Sequence, residues 1–581
     1  MATLRIALAQ VDLTVGDLAA NAALVRSWTA RAREAGAQLV AFPEMTLTGY
    51  PIEDLTFRRS LLDANLRLLD TLARETGDLP VVVGYLDRDE GGARNAVALL
   101  HRGEVRARYF KHWLPNYGVF DERRYFAPGL SVTVVDVGGV SVALTICEDL
   151  WQDGGPVAAA AAAGAELVLV VNGSPYERDK DDVRLALVAR RAAEAGAPFA
   201  YVNTTGAQDE LVFDGDSMVV APDGTVLARA GRFAEELLVA DVPVPPRAPA
   251  GTPTMPVERV TLGPVPPAPP SPVEPRLAEP LSDEAEVYGA VVAGTRDYVR
   301  KNGFRSVVIA LSGGIDSALV TTIAVDALGA DCVHTVAMPS AFSSQGSLDD
   351  AAELARRQGT RHAVVPIEPM VAAYRAALEP VGGLTGIAAE NLQARVRGTL
   401  LMALSNEHGH LALVTGNKSE VATGFSTLYG DSAGGWAPIR DVPKTLVWAL
   451  SRWRNAQAEA RGETPPIPEN SITKPPSAEL APGQLDADRL PPYDVLDRIL
   501  DLYVERDVDR SELVARGFDP AVVDRVVRLV DVAEFKRRQA PPGPKITARA
   551  FGRDRRLPIT NRWVETPYAR ETPETARPDG S

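Results

Sequence analysis

A chain of 581 residues with 46% apolar side chains is too long for one hydrophobic core and divides into about two to four units. Its net charge of −15 argues against a protein that lives on nucleic acid phosphates, while leaving room for a local basic site, and two cysteines, Cys147 and Cys332, are too few for a disulfide framework or a zinc ribbon and fit a reducing cytoplasm. The opening run Leu4 to Val11 is β-like and lacks a signal-peptide core, and no stretch is long and apolar enough to span a bilayer, so neither nucleic acid nor membrane is an expected partner.

From residue 1 to about 240, β-rich runs alternate with helical stretches. Strands are predicted at 39–42, 81–85, 140–146, 167–171 and 199–203, and helices at 18–35, 58–74 and 182–195, which gives a layered α/β domain over residues 1–242. Proline then recurs every few residues and cannot supply sheet donors or a helix interior, so 243–281 is predicted to be an extended linker. A helix starting at Asp283 leads into βα units with strands at 307–311, 333–338, 363–367 and 411–415, predicting a doubly wound parallel sheet over 282–565 and a disordered tail over 566–581. Polar, proline-rich stretches at 465–484 and 537–545 read as mobile loops near a site.

Positive charge is supplied by 53 arginines and only eight lysines: Lys111, Lys180, Lys301, Lys418, Lys444, Lys474, Lys536 and Lys545. An ammonium can lose its proton or act as a compact point charge, and a guanidinium does neither well, so these lysines mark candidate chemical positions.

In the first half three predicted strands each end in a reactive group: Phe42-Pro43-Glu44, Tyr109-Phe110-Lys111 and Ile146-Cys147-Glu148-Asp149. Brought together they form a nucleophile with its own base, Glu44 taking the thiol proton of Cys147 and Lys111 stabilising the oxyanion of a tetrahedral intermediate. The run Phe42 to Pro51, with Lys111 and Cys147 to Trp151 following in that order, resembles the nitrilase, or carbon-nitrogen hydrolase, family. That resemblance implies an αββα sandwich, a Glu-Lys-Cys triad acting through a thioester, and face-to-face pairing into a homo-oligomer. In the glutaminase members the glutamine contacts map to Tyr117, Ser174 and Lys180.

In the second half the apolar run Val307 to Leu311 ends in Ser312-Gly313-Gly314-Ile315-Asp316-Ser317 and opens directly into a helix. Paired glycines and the first N–H groups of that helix cradle an anion, and Asp316 stands where a Walker loop carries lysine, so the loop brings its own carboxylate for a metal. This resembles the ATP pyrophosphatases, which split ATP between the α- and β-phosphates.

Four further segments follow: Glu390 to Gly398, Thr415 to Glu420, Leu428 to Asp431 and Phe535 to Gln539. They offer amide and guanidinium donors, a second carboxylate and lysines suited to a polyphosphate. In order they resemble NAD synthetase, and behind a nitrilase-like domain the whole resembles the glutamine-dependent NAD synthetases. The resemblance implies ATP-dependent amidation of deamido-NAD through an adenylated nicotinate, with glutamine and ATP as co-substrates and ammonia channelled between domains. It places ATP on Ala310, Leu311, Ser312, Gly313, Gly314, Ile315, Asp316, Ser317, Met338, Thr415 and Lys444. Deamido-NAD falls to Asn391, Arg395, Glu420 and Lys536, and Mg²⁺ to Asp316 and Glu420. Competing readings are a tRNA-modifying enzyme, which would want a basic surface and a catalytic cysteine in the second half, and an amidase fused to an inactive partner. Cys332, the only cysteine in the second half, reads as a buried structural thiol on a strand.

Overall fold

The strand Ala2–Gln10 is buried on both faces over most of its length, and its alternation decides what covers each. Leu4, Ile6 and Leu8 enter a core shared with a second sheet, while Ala7, Ala9 and Val11 pack toward the helices Leu18–Glu34 and Arg59–Glu75 through Val25, Trp28, Leu69 and Leu72. This strand pairs antiparallel with Glu236–Val244 and parallel with Leu39–Ala41, and the six-stranded sheet continues through Val81–Asp89, Gly92–His101 and Glu104–Phe110. The second sheet has seven strands, with Phe199–Asn203, Leu167–Asn172, Val140–Ile146 and Val132–Val137 at its centre. The helices Gly155–Ala162 and Lys180–Ala195 cover its outer face through Ala159, Leu187, Val188 and Ala192. The result is the αββα sandwich.

The computed structural model describes residues 2–178, 180–246, 251–267, 269 and 271–563, and the chain divides into two compact units, Met1–Asp297 and Tyr298–Ser581. The expected tail, 566–581, lies outside the described residues. The division falls inside the helix Asp283–Lys301 rather than in the proline-rich stretch, because that stretch is tied to the first unit. The proline-free residues Val257–Thr261 pair parallel with Val132–Val137 at the edge of the second sheet, Arg5 donates to the Ser271 carbonyl, and the Val273 N–H donates to Asp241. Segment 243–281 is therefore not only an extended linker: its prolines flank the strand, where their missing donors are not needed.

In the second unit four parallel strands lie in the order Arg361–Val364, Val333–Ala337, Val307–Ala310, Leu411–Leu413. Sequence order reverses between the last two, and in open α/β sheets ligands bind at the carboxyl ends of the strands at such a switch point. The third strand starts and ends earlier than expected, since Pro366 cannot continue the ladder and Ile367 already leads into the helix Glu368–Leu378. The stretch expected to be a loop at 465–484 contains a helix, Glu469–Thr473, whose buried Ser471 donates to the Gly313 carbonyl at 2.9 Å. Within 537–545, Gly543 packs so closely that an added Cβ would stand 2.1 Å from the Ala437 carbonyl oxygen. Cys332 ends a short 3-10 turn, Ala330–Cys332, and is half-buried, because the strand begins one residue later. A helical layer with its own core, including Leu496, Ile499, Val504, Leu513, Val523 and Val527, completes this unit. Among the described residues no helix is long and apolar enough to cross a membrane.

Candidate active sites

In the first unit Glu44, Lys111 and Cys147 are all buried at the ends of their strands. Cys147 occupies the turn between the strand Val140–Ile146 and the helix Glu148–Trp151 with φ 44° and ψ −96°, a strained conformation for a residue with a side chain. Glu44 Oε1 accepts from Lys111 Nζ at 2.7 Å and from Asn95 Nδ2 at 2.6 Å, and Oε2 accepts from the Gly173 N–H at 2.8 Å. A Cβ at Gly173 would meet the Tyr50 ring at 2.8 Å, so glycine is what lets this backbone reach the carboxylate.

Lys111 also donates to Glu122 Oε1 at 2.9 Å, which accepts from Tyr50 Oη as well. Burial alone would push the Lys111 ammonium down, but Glu122 and Glu44 more than offset it and hold its pKa well above the usual range. Burial, then the charge of Glu44, raises the Cys147 thiol, so it rests protonated and needs a base to become a nucleophile. Glu122 itself is pushed up to about 7, chiefly by burial, and its Oε2 is buried without a hydrogen-bond partner.

Glu122 and Asn95 are site residues that sequence reasoning missed. Glu122 sits in the charged run Asp121-Glu122-Arg123-Arg124, which reads as a solvated face; only tertiary contact turns it inward. Asp149 belongs to the Cys147 motif, but its work is visible only in the structure: buried, it accepts from the N–H groups of His112, Trp113 and Ile146 and from Tyr109 Oη, and so fixes the chain that follows Lys111.

The three expected glutamine contacts fall in different settings. Ser174 is buried beside Gly173, its N–H donating to Asn203. Lys180 donates to the Pro175 carbonyl at 2.9 Å and lies 5.8 Å over the Trp151 ring, with its pKa lowered by burial. Tyr117 is exposed, its hydroxyl on Glu148 Oε2 at 2.9 Å.

In the second unit Ala310 ends the strand Val307–Ala310, and Leu311 to Gly314 form the loop before the helix Ile315–Leu328. Ser312 Oγ and Ser317 Oγ lie 3.1 Å apart across the loop, and Ser312 Oγ accepts from the Gly314 N–H. Gly313 has φ +84°, and a Cβ there would stand 2.1 Å from the Ser347 carbonyl oxygen, so the cradle requires glycine at this point. Thr415 follows the neighbouring strand, across the switch point, and Met338 follows the strand on the other side.

Asp316 and Glu420 approach from the N-terminal turns of two helices. Asn417 and Glu420 form a reciprocal cap of the helix Lys418–Thr423, and Asn417 Nδ2 also donates to Asp316 at 2.9 Å. Lys444 Nζ, buried, pairs with the other oxygen of Asp316. Burial and then the Asp316 charge push Glu420 well above the carboxylate range, which means the protein by itself undersupplies positive charge to this pair.

Glu420 and Lys536 line one narrow cavity with Ser426, Asp431 and Arg440. Lys536 donates to the Gly424 and Ser426 carbonyls at 2.7 Å each, and burial lowers its pKa. Asn391 accepts from Thr427 in the adjoining loop, and exposed Arg395 donates to the Leu428 carbonyl. Lys545 is instead buried against Asp554 and the Thr547 carbonyl. Fully buried Lys418 pairs with Asp441 and Glu505 and donates to Thr547, an arrangement that binds three segments together.

Comparison with known proteins agrees with both halves. Residues 5–247 match the carbon-nitrogen hydrolase family and residues 287–540 the NAD synthase family. The glutamine-dependent NAD(+) synthetase of Thermotoga maritima is 45% identical over 97% of this chain and all of its own length, and that of Rhodobacter capsulatus 46% identical over 96% of this chain and 98% of its own. The structure of glutamine-dependent NAD+ synthetase from Acinetobacter baumannii, solved in complex with adenosine diphosphate, is 39% identical with a TM-score of 0.74, covering 97% of this chain and all of that one.

Proposed function

Because the chain belongs to the glutamine-dependent NAD(+) synthetases, we propose that the two residue clusters divide its reaction between them, the first releasing ammonia from glutamine and the second spending ATP to accept it. The observation that carries this division is that each compact unit holds one chemically complete cluster: a buried carboxylate, ammonium and thiol in one, and in the other a partly open phosphate cradle with a half-buried carboxylate pair.

In the first unit Glu44 takes the Cys147 proton, the thiolate attacks the glutamine amide carbon, and Lys111 bears on the oxyanion. Glu44 passes that proton to the amide nitrogen, which leaves as ammonia; the remaining thioester is cleaved by water to glutamate, with Glu44 taking the water's proton and returning it to the Cys147 sulfur. Tyr117, Ser174 and Lys180 orient the glutamine. Holding Glu44 between Lys111, Asn95 and Gly173 keeps it aimed without needing a histidine.

In the second unit the nicotinate carboxylate of deamido-NAD attacks the α-phosphate of ATP and pyrophosphate leaves; ammonia then attacks the adenylated carboxyl carbon and expels AMP. Adenylation is needed because a free carboxylate is a poor acyl donor. The loop from Ala310 to Ser317 cradles the phosphates, Thr415 and Met338 flank the nucleotide, and Lys444 turns from Asp316 to a phosphate. Asn391, Arg395, Glu420 and Lys536 hold deamido-NAD. The carboxylates of Asp316 and Glu420, linked through Asn417, fit Mg²⁺, since hard oxygen donors suit that ion. Bound there on the ATP phosphates, it would supply charge neutralisation. The acidic chain supports neither the tRNA-modifying reading nor a basic nucleic acid surface. The nitrilase-type half supports self-association into a homo-oligomer, which sedimentation would measure.

The test is NAD formation from deamido-NAD and Mg-ATP, with glutamine and ammonium chloride in parallel and AMP assayed beside it. NAD and AMP in equal amounts from either donor is the expected result; amide hydrolysis without NAD from either donor would refute the division. Ammonia is mostly protonated at neutral pH, so direct transfer to the second cluster is also proposed; complete suppression of glutamine-driven synthesis by a free-ammonia scavenger would exclude it.

A further inference from the structure

The carboxyl edge of the four-stranded sheet carries the nucleotide cradle; its amino edge carries a different cavity, of about 630 Å³, lined by Arg305, Ser306, Asp331, Cys332, His334, Arg361, His408 and His410. Its position follows from the topology. Ser306, Cys332 and His410 immediately precede three of the parallel strands, and Arg361 opens the fourth, so consecutive strands deliver these side chains to one end. The size lies within the range of about 300–1,000 Å³ that holds small ligands.

Its chemistry runs against the rest of the chain. In a protein of net charge −15 with six histidines, three histidines and two arginines converge here against one carboxylate, Asp331. Arg305 and Arg361 have no carboxylate partner among the described residues, whereas Arg5, Arg184, Arg229 and Arg454, for example, each pair with an aspartate. The rings of His334 and His410 stack with centroids 4.0 Å apart, and His408 lies 5.4 Å from His410. His410 is buried and Ser306 Oγ lies 2.7 Å from its Nδ1; His362, on the neighbouring strand, turns to Thr335 instead. The pKa values of His334 and His410 are lowered, first by burial and then by neighbouring cations, Arg361 and His408 among them. Stacked imidazoles whose protonation is disfavoured by burial and by neighbouring cations take up protons more readily when an anion arrives, so binding and protonation reinforce each other.

We propose that this cavity is an anion subsite for a small, multiply charged phosphate, separate from the nucleotide crevice at the opposite edge of the sheet. Arg305 and Arg361 supply the permanent charge and planar donors that match phosphate oxygens, and His334 and His410 add charge as pH falls. None of these residues serves either catalytic cluster.

The experiment is titration calorimetry of the full-length protein with its nucleotide crevice saturated by α,β-methylene-ATP. Pyrophosphate, inorganic phosphate and AMP are the probes, and sulfate, whose own charge is constant between pH 6 and 8, reports the pH dependence. One equivalent of pyrophosphate per chain is expected beyond the analogue, weakened about tenfold or more by Arg305→Gln with Arg361→Gln and tightened about threefold by Asp331→Asn. Sulfate should bind about tenfold more tightly at pH 6 than at pH 8 for one coupled proton. Pyrophosphate as the tightest probe names the reaction product as the source, AMP a nucleotide, and phosphate the free ion. Unchanged ammonium-driven NAD synthesis shows that the double variant is folded; if it is not, the Asp331→Asn and sulfate series decide. No binding beyond the analogue, binding insensitive to the charge changes, or sulfate affinity independent of pH would each overturn the proposal.

Discussion

The two clusters treat buried charge in opposite ways. Around Cys147 the charged groups are partnered within the protein: Lys111 sits between Glu44 and Glu122, and Glu44 is held on both oxygens. Around Asp316 the partners are provisional. Lys444 stands on a carboxylate expected to face a metal ion, and Glu420 is left raised by burial and then by the Asp316 charge. The difference teaches what each site must bind. Under the proposed division, a site that carries its own nucleophile and receives amide chemistry is finished before substrate arrives, and one whose substrates bring phosphates and cations keeps its charges open until they are bound.

Removing the nucleophile should break the comparison most sharply. Cys147→Ala is expected to lower glutamine-driven NAD formation by at least about 1,000-fold while ammonium-driven formation stays within about twofold, both read as NAD and AMP. Asp316→Ala should lower synthesis from either nitrogen source by about 100-fold or more, with glutamate release persisting; full activity with ammonium would remove Asp316 from the site. Lys418→Met probes a buried lysine that is architectural rather than chemical. It leaves Asp441 and Glu505 without their cation and should cost about 3–5 kcal/mol of stability, seen in thermal unfolding.

The smallest effect concerns pH. With Glu122 pushed up to about 7, it gains a proton as pH falls through that value, and Lys111 loses one of its two anionic partners. Glutamine hydrolysis should therefore decline on the acid side of about pH 7, and Glu122→Gln, neutral throughout, should flatten that limb. The sign for stability is the reverse: a carboxyl raised by folding favours the folded state at low pH, and this contribution is lost as pH rises through about 7. An unchanged acid limb in the variant would show that another group titrates.

Much of this was legible without coordinates. Strand ends at Glu44, Lys111 and Cys147, the Ser312 to Ser317 loop and the parallel order of the second domain follow from local patterns, since periodicity and turn chemistry act over a few residues. The scarcity of lysine also proved informative, as Lys111, Lys418, Lys444 and Lys545 are all buried. Yet the same signal could not separate Lys444, beside a candidate metal carboxylate, from Lys418, which pins segments together. Each opens a helix after a short loop, and their partners are remote in sequence.

Sequence by itself determined the two-part architecture and the family, because the motifs that carry both resemblances are short, local and fall in fixed order along the chain. Only the tertiary structure decided that Glu122 and Asn95 complete the first site, that the proline-rich segment contributes Val257–Thr261 to a sheet, and that histidines and arginines from four strand starts meet in one cavity. The physical reason is common to all three. Each depends on contacts between residues far apart along the chain, where the energy of burial and pairing, rather than local propensity, chooses the arrangement.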